Sequence, residues 1–393
     1  MLVKPQSTSM AKIKVIGVGG AGGNAINNMI DNYDIEGVEF IAVNTDAQAL
    51  AANKAEVKLQ IGTEITRGLG SGGNPQIGKK SAEESVDLLH EHLAGADMVF
   101  ITAGMGGGTG TGASPVIAGI AKNLGALTIA ITEKPFSFEG KKRMDTAIKG
   151  IGEMRDKVDT LVVIPNQKLF EVVDENMSFL EAMRKVDDVL AQAVKSISQL
   201  INQTGTINVD FADIKSIMSN AGTALMGMGA ASGDNRAEEA TKAAINSPLL
   251  EMSITGAKGV LFNVVSGKDL SMAEVKKVSK IISDNVSEEA NIYFGANIDM
   301  ELQDEIKITV LATGFDEVQP SYPQSSNLIK SGPVKINLKN PSYSMQEDEE
   351  PVQRRSVANT PEPEDDDEDD SSSSRWEDLE NRPAFLRNSR KKY

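Results

Sequence analysis

The sequence predicts an α/β protein with a Rossmann-like parallel-sheet domain, a long central helix and a second α+β domain, followed by a disordered acidic linker and a short tail. Three observations lead there. Apolar runs of strand length alternate with helix-period stretches through the first half of the chain, the pattern of a parallel sheet with crossover helices. Glycine clusters follow three of those apolar runs. After residue 316 the chain turns to Pro, Ser, Asn and acids, with too little apolar area to offset the entropy of ordering.

The elements follow in order. Ile13, Val15 and Ile16 mark a first strand, which runs into Gly17-Val18-Gly19-Gly20-Ala21-Gly22-Gly23-Asn24. A helix begins at Ala25, with Ile26, Met29 and Ile30 on one side. The next strand, 38–43, ends in Asn44-Thr45-Asp46, which completes a βαβ unit. A second cluster, Gly68-Leu69-Gly70-Ser71-Gly72-Gly73-Asn74-Pro75, precedes a single helix over 78–93. A strand over 98–102 leads into Gly104-Met105-Gly106-Gly107-Gly108-Thr109-Gly110-Thr111-Gly112, and a helix follows over 113–122. Strands over 126–131 and 161–164 end in Thr132-Glu133-Lys134-Pro135 and Pro165-Asn166. In an open parallel sheet all these loops gather at the carboxyl edge, where ligands bind.

The spacing of Ala182, Val186, Val189, Ala193, Ile197 and Leu200 marks one long helix over 178–201. Beyond it, helices are expected over 213–221, 236–245 and 272–286, with strands over 257–265, 291–298 and 306–313. The expected division is 11–177 for the parallel-sheet domain, 178–202 for the central helix, 203–316 for the α+β domain, 317–374 for the linker and 375–393 for the tail.

Composition narrows the chemistry. The chain has 393 residues, enough for about two domains. It contains no cysteine, which excludes disulfides, thiolate ligands and cysteine nucleophiles. Its two histidines, His90 and His92, sit together on a polar helical stretch, so no histidine metal site is expected. A formal charge of −16 disfavours nucleic-acid binding and favours cationic counter-partners such as Mg²⁺. Residues 317–370 hold 13 acids against 5 bases, whereas 371–393 hold 3 against 6. That last stretch also brings back Trp376, Leu379, Phe385 and Leu386, which makes it a candidate recognition peptide. The first ten residues show no apolar signal core, and no run approaches the ~18 apolar residues of a membrane span. A cytoplasmic location is expected.

The loop at 104–112 carries the strongest chemical signal. Glycines let successive N–H groups converge on an anion, and the start of a helix adds unpaired N–H groups and a positive dipole end. Thr109 and Thr111 add hydroxyls that can donate to phosphate oxygens. A mobile linker is the bland alternative, but the loop lies between two well-patterned apolar segments. Gly17–Gly22 fits G-x-G-x-x-G, for which Glu36, Glu39 or Asp46 would be the ribose-binding acid. A nicotinamide site needs one such loop, whereas three favour a nucleoside triphosphate wrapped from several sides. The lysine-containing P-loop pattern is absent. Further along, Asp210 and Asp213 lie three apart at a helix start. Capping explains one of them, and together they can orient water at a metal-bound phosphate.

Taken with Arg67–Pro75, Lys134–Gly140, Asn235-Arg236-Ala237, Ser247–Leu250 and Ala312–Asp316, these motifs make the chain resemble the tubulin/FtsZ family of cell-division GTPases over residues 11–316. The resemblance implies GTP or GDP as ligand, with Mg²⁺. Phosphate contacts would come from Gly19, Gly20, Ala21, Gly22 and the loop from Gly104 to Thr111, with Asn24, Asn44, Asp46, Gly70, Gly72 and Pro135 nearby. Glu139 and Arg143 would lie at the ribose and phosphate end. Asn166 and Asp187 would read the guanine edge, and Met183 would cover the base where many relatives carry phenylalanine. Asn208, Asp210 and Asp213 would reach the γ-phosphate of a neighbouring subunit in a head-to-tail filament.

Residues 382–387 resemble the family's tail core. This implies membrane adaptors as partners of 375–393, indirect membrane association, and a cytoplasmic protein concentrated at midcell. Two other readings are weaker. An NAD-dependent oxidoreductase accounts only for Gly17–Gly22, and a non-hydrolysing tubulin-like protein is disfavoured by the intact acid pair and the tail.

Overall fold

The structure, a computed structural model, describes residues 11–172, 177–202, 207, 209–250 and 252–315. The chain runs through β1 (Ile13–Val18), α1 (Gly19–Asn32), β2 (Val38–Asn44), α2 (Ala47–Ala51), β3 (Val57–Gln60), α3 (Thr63–Thr66), α4 (Pro75–Glu84) and α5 (Val86–Leu93). It continues with β4 (Met98–Gly104), α6 (Thr109–Asn123), β5 (Leu127–Lys134), α7 (Lys141–Arg155), β6 (Thr160–Pro165), α8 (Asn166–Val172) and the long α9 (Phe179–Asn202). The second region comprises α10 (Phe211–Met218), β7 (Gly222–Ser232), α11 (Arg236–Ile245), β8 (Gly259–Ser266), α12 (Met272–Ser283), β9 (Asn291–Ile298) and β10 (Glu305–Thr313).

The ten strands form one sheet in the order β3-β2-β1-β4-β5-β6-β7-β10-β8-β9. Pairing is parallel from β3 through β6. Helices cover both faces of this part, so its central strands are buried on both sides; β4 is buried from Met98 to Ala103. Ala25, Ile26 and Met29 of α1 pack with Val186, Val189 and Leu190 of α9 in one core. Leu89 and Leu93 of α5, Ile117 and Ala121 of α6, and Ile151 of α7 share another. The α1–α9 core also takes in Met226, Leu261 and Leu311 of the second region, so α9 is the shared wall between the two parts.

β7 joins those parts. Its first residues, Gly222–Ala224, pair in parallel with Thr160–Val162, and Leu225–Ser232 pair antiparallel with β10. This strand has no counterpart among the sequence expectations. Its run of Gly, Ala, Leu and Met has Thr223 as its single β-branched residue, and partners on both sides hold it extended where local propensity does not.

Several boundaries differ from expectation. α1 begins at Gly19 and α6 at Thr109, not at Ala25 and Ala113, so Gly19–Asn24 and Thr109–Gly112 are helix rather than turn. The reason is close approach. Gly19 has φ +74°, and a Cβ there would lie 2.9 Å from the backbone N of Gly110. The expected helix over 78–93 is two helices broken at Ser85. Ser85 Oγ accepts the Gly62 N–H at 3.2 Å, and the Glu84 carboxylate accepts the N–H groups of Glu64 and Ile65.

Candidate functional site

The starts of α1 and α6 abut at the carboxyl edge of β1 and β4, and neither is capped by a side chain. Each therefore offers the unpaired N–H groups of a first helical turn to the same place. A Cβ added at Gly20 or Gly107 would meet nothing within 4 Å, which marks the open side of this cradle. A cavity of about 170 Å³ adjoins it, lined in part by Gly19, Gly20, Asn24, Asn44, Leu50 and Asn53.

The loop is fastened from behind. Gly106 adopts φ +101°, and a Cβ there would lie 2.7 Å from the Arg143 carbonyl. Its N–H donates to Thr111 Oγ1 at 2.8 Å, and the Met105 N–H donates to the Glu133 carbonyl at 2.9 Å. The N–H groups of Met105 and Gly106 therefore shape the loop, leaving Gly107, Gly108, Thr109 and Gly110 at its open end. Thr109 Oγ1 lies 2.7 Å from Thr45 Oγ1 and 3.0 Å from Ser71 Oγ, a buried trio of hydroxyls. Thr109 and Thr111 are 7% and 3% exposed, so their hydroxyls act first as braces. Neither Thr45 nor Ser71 was singled out from the sequence, although each sits beside residues that were.

The segment 68–75 docks on the same edge. Gly70 N–H donates to the Thr45 carbonyl at 3.2 Å, and Gly72 has open space where a Cβ would be. Asp46 caps α2, with Oδ1 accepting from Gln48 and Ala49 at 2.9 and 3.0 Å. Asn44 Oδ1 accepts from Asp46 N–H at 3.2 Å.

The neighbouring strands supply the other end of the site. Pro135 is buried just beyond β5. Glu139 Oε1 accepts the Phe136 N–H at 2.9 Å, and its Oε2 pairs with Arg143 Nε at 3.0 Å. Phe136 stacks on Phe138 with ring centroids 5.0 Å apart, and Phe138 meets Phe179 at 6.5 Å. Met183, one turn beyond Phe179 on α9, is half-buried and packs on the α1–α9 core.

Asn166 starts α8, and its Nδ2 donates to Glu133 Oε2 at 3.3 Å. Burial, reinforced by Asp187, pushes the Glu133 carboxyl up to about 8. Burial, then Asp188, raises Asp187 to about 6. Glu133 was read only as part of a polar strand end. The signal was an acid directly after an apolar strand, at the sheet edge where ligands bind.

The acid pair lies elsewhere. Asp210 caps α10, its Oδ1 accepting the Asp213 N–H at 2.8 Å, and it is exposed. At the far end of α10, the Met218 carbonyl accepts from Thr160 Oγ1, the first residue of β6, at 2.6 Å. The end of α9 is at that amino edge too: Asn202 Nδ2 donates to the Gly37 carbonyl, just before β2, at 3.2 Å. With 24 residues at ~1.5 Å each, α9 spans about 36 Å from Phe179 to Asn202, of which about 22 Å lies between Asp187 and Asn202. Asn208 lies outside the described residues, as do residues 316–393 with the expected linker and tail.

Two uncapped helix starts converging at the carboxyl edge of a parallel sheet, with an amide and carboxylates a strand away, define a nucleotide-binding protein of the tubulin-like class. The profile of the tubulin/FtsZ family GTPase domain matches residues 12–174, and that of the FtsZ family C-terminal domain matches 222–316. The chain belongs to the FtsZ family, a branch of the tubulin-like GTPases.

Among solved structures, an empty FtsZ dimer from M. jannaschii is 46% identical, covering 78% of this chain and 89% of its own, with a TM-score of 0.75. A mutant FtsZ from the same organism is also 46% identical, covering 78% and 92%, with a TM-score of 0.75. CetZ2 from Haloferax volcanii, a GTPγS-bound protofilament, shares the fold at 21% identity and a TM-score of 0.67, covering 78% and 94%. Membership in this family replaces the oxidoreductase reading of Gly17–Gly22.

Proposed function

We propose that the chain binds GTP and assembles head to tail into protofilaments of a cytokinetic ring, hydrolysing GTP to GDP and phosphate where subunits meet. The observation that carries this reading is the separation of the two half-sites. The cradle lies at the carboxyl edge of the sheet, whereas Asp210 and Asp213 belong to a helix that ends at the amino edge. One chain does not bring them together; a second copy stacked end to end does. Self-association is also the state of two solved relatives, the M. jannaschii dimer and the Haloferax protofilament.

In this reading the first turns of α1 and α6 hold the phosphates through backbone N–H groups. Gly70 and Gly72 close the cradle from the side, and Asn24, Asn44 and Asp46 border it. Glu139 and Arg143 stand at the ribose end. Asn166 and Asp187 read the guanine edge, with Met183 against the base. Asp210 and Asp213 of the adjoining subunit, with Asn208, orient the attacking water, and one of the two carboxylates accepts the proton it gives up.

Mg²⁺ would accompany the nucleotide. Among the described residues, no group of three or more His, Asp or Glu gathers that would hold an ion by itself. The ion would therefore rest mainly on phosphate oxygens, and the protein's own steps are positioning and proton acceptance. Residues 375–393 would bind membrane adaptors and place the filament at midcell on the inner face of the membrane. No described helix is long and apolar enough to cross a membrane.

Light scattering tests the proposal. GTP should raise it and GDP should not, with phosphate release following assembly. Asp213→Ala should bind GTP and assemble without releasing phosphate. Assembly with no phosphate release from the native chain would instead support a non-hydrolysing structural protein.

A further inference from the structure

We propose that Glu133 is a positioning residue for base recognition, holding the Asn166 amide so that Asn166 Oδ1 accepts from the donor edge of a guanine beside Asp187. This rests on the reading of the site as a guanine-nucleotide site.

The geometry comes from two neighbouring strand ends, those of β5 and β6. Glu133 lies in the last turn of register of β5 and is 6% exposed; Asn166, directly after β6, is 4% exposed. Glu133 Oε2 accepts from Asn166 Nδ2 at 3.3 Å. The two oxygens that remain, Glu133 Oε1 and Asn166 Oδ1, are buried and have no partner among the described residues. Buried polar atoms are almost always satisfied, so an orphan pair at the ligand edge of a sheet points to a ligand that completes it.

The pairing also decides which way the amide faces. With Nδ2 turned to Glu133, the Asn166 carbonyl oxygen is the free end, an acceptor. Guanine carries N1–H and a 2-amino group on its recognition edge, both donors, and Asp187 supplies a second acceptor. Hypoxanthine lacks the 2-amino group and so loses one of these bonds.

The acids that act on Glu133 are Asp187 on α9 and Glu139 before α7, the last paired with Arg143, and Asp188 acts in turn on Asp187. A neutral Glu133 carboxyl avoids adding another charge to this acidic group. Its ionisation at higher pH places a new negative charge beside an anionic ligand. The Glu133 backbone carbonyl, which holds Met105, is unchanged by any substitution of the side chain.

The test compares GDP and IDP affinities by calorimetry in the native chain, Glu133→Gln and Glu133→Leu. The native chain should prefer GDP. Glu133→Leu should narrow that preference about tenfold, the upper end of one neutral hydrogen bond, with IDP affinity little changed. Glu133→Gln should keep the preference, because its amide oxygen still accepts from Asn166. Its GDP affinity should also stay flat between pH 7 and 9, where that of the native chain falls.

Equal loss of GDP and IDP binding in Glu133→Leu, or an unchanged ratio, overturns the positioning role while leaving guanine-nucleotide binding intact. Should Glu133→Leu not fold, the pH comparison decides alone: parallel profiles in the native chain and Glu133→Gln overturn it. A native chain that binds neither nucleotide overturns the underlying reading as well.

Discussion

Thr111 Oγ1 accepts the N–H of Gly106 at 2.8 Å, so the glycine loop is fastened by the helix that it opens. Thr111→Val keeps the shape and removes the acceptor. The Gly106 N–H is then buried without a partner, a loss of about 1–3 kcal/mol. GDP affinity should fall roughly 5- to 100-fold, given ~1.4 kcal/mol per factor of ten. Calorimetric titration reads this directly, and native affinity in Thr111→Val would show that the loop is held by other contacts.

Asp210 and Asp213 should separate in their effects on stability. Asp210 is the side-chain cap of α10, so Asp210→Ala should lower stability by about 1 kcal/mol, while Asp210→Asn keeps the cap. Asp213 contributes only its backbone N–H to this bond, and Asp213→Ala should melt close to the native temperature. All three should bind GTP and fail to hydrolyse it. Denaturant melts set beside phosphate release distinguish capping from chemistry.

The fold was legible in outline because its signals are local. Val38–Asn44 and Met98–Gly104 are apolar runs, and α9 keeps a regular apolar spacing over 24 residues. β7 was not legible, because pairing with β6 and β10 decides its conformation. The helix starts at Gly19 and Thr109 were missed for a related reason: glycine is a poor helix former by ~1 kcal/mol, and the tight abutment of two helix starts overrides it. In the site, the phosphate cradle was readable from glycine density. The braces Thr45, Ser71 and Glu133 act through residues distant in sequence, and only Glu133 carries a local signal, as an acid at the end of an apolar strand.

Arg236 is 4% exposed, and its guanidinium pairs with Glu274 and Asp269, tying α11 to the start of α12. Arg236→Met should destabilise by about 1.5–3 kcal/mol, the scale of hydrogen bonds to charged groups, because the acids left behind, Glu274 and Asp269, still reach solvent. The guanidinium holds the Glu274 carboxyl down at about 2, against an ordinary value of 4.5. A depressed acid contributes stability above its unfolded value and loses it as pH falls through the folded one. The native chain should therefore lose stability between about pH 4.5 and 2, and Arg236→Met should lose less over that interval. Equal slopes in chemical denaturation would contradict the pairing.

Glu133 has the opposite sign. Its folded value of about 8 lies above 4.5, so the unfolded chain gives up the proton first, and stability declines as pH rises from about 4.5 to 8. Glu133→Gln removes that decline. The melting temperature of the variant should gain on the native chain as pH rises over that range, and a constant difference would contradict a buried neutral carboxyl.

The central claim is that hydrolysis needs the cradle of one chain and the acid pair of another. Phosphate release per subunit, measured across protein concentrations at saturating GTP, tests it most directly. The rate should be near zero below a threshold and rise steeply above it, tracking light scattering. A rate per subunit independent of concentration, present in dilute unassembled protein, would mean that one chain completes the site and would contradict the account.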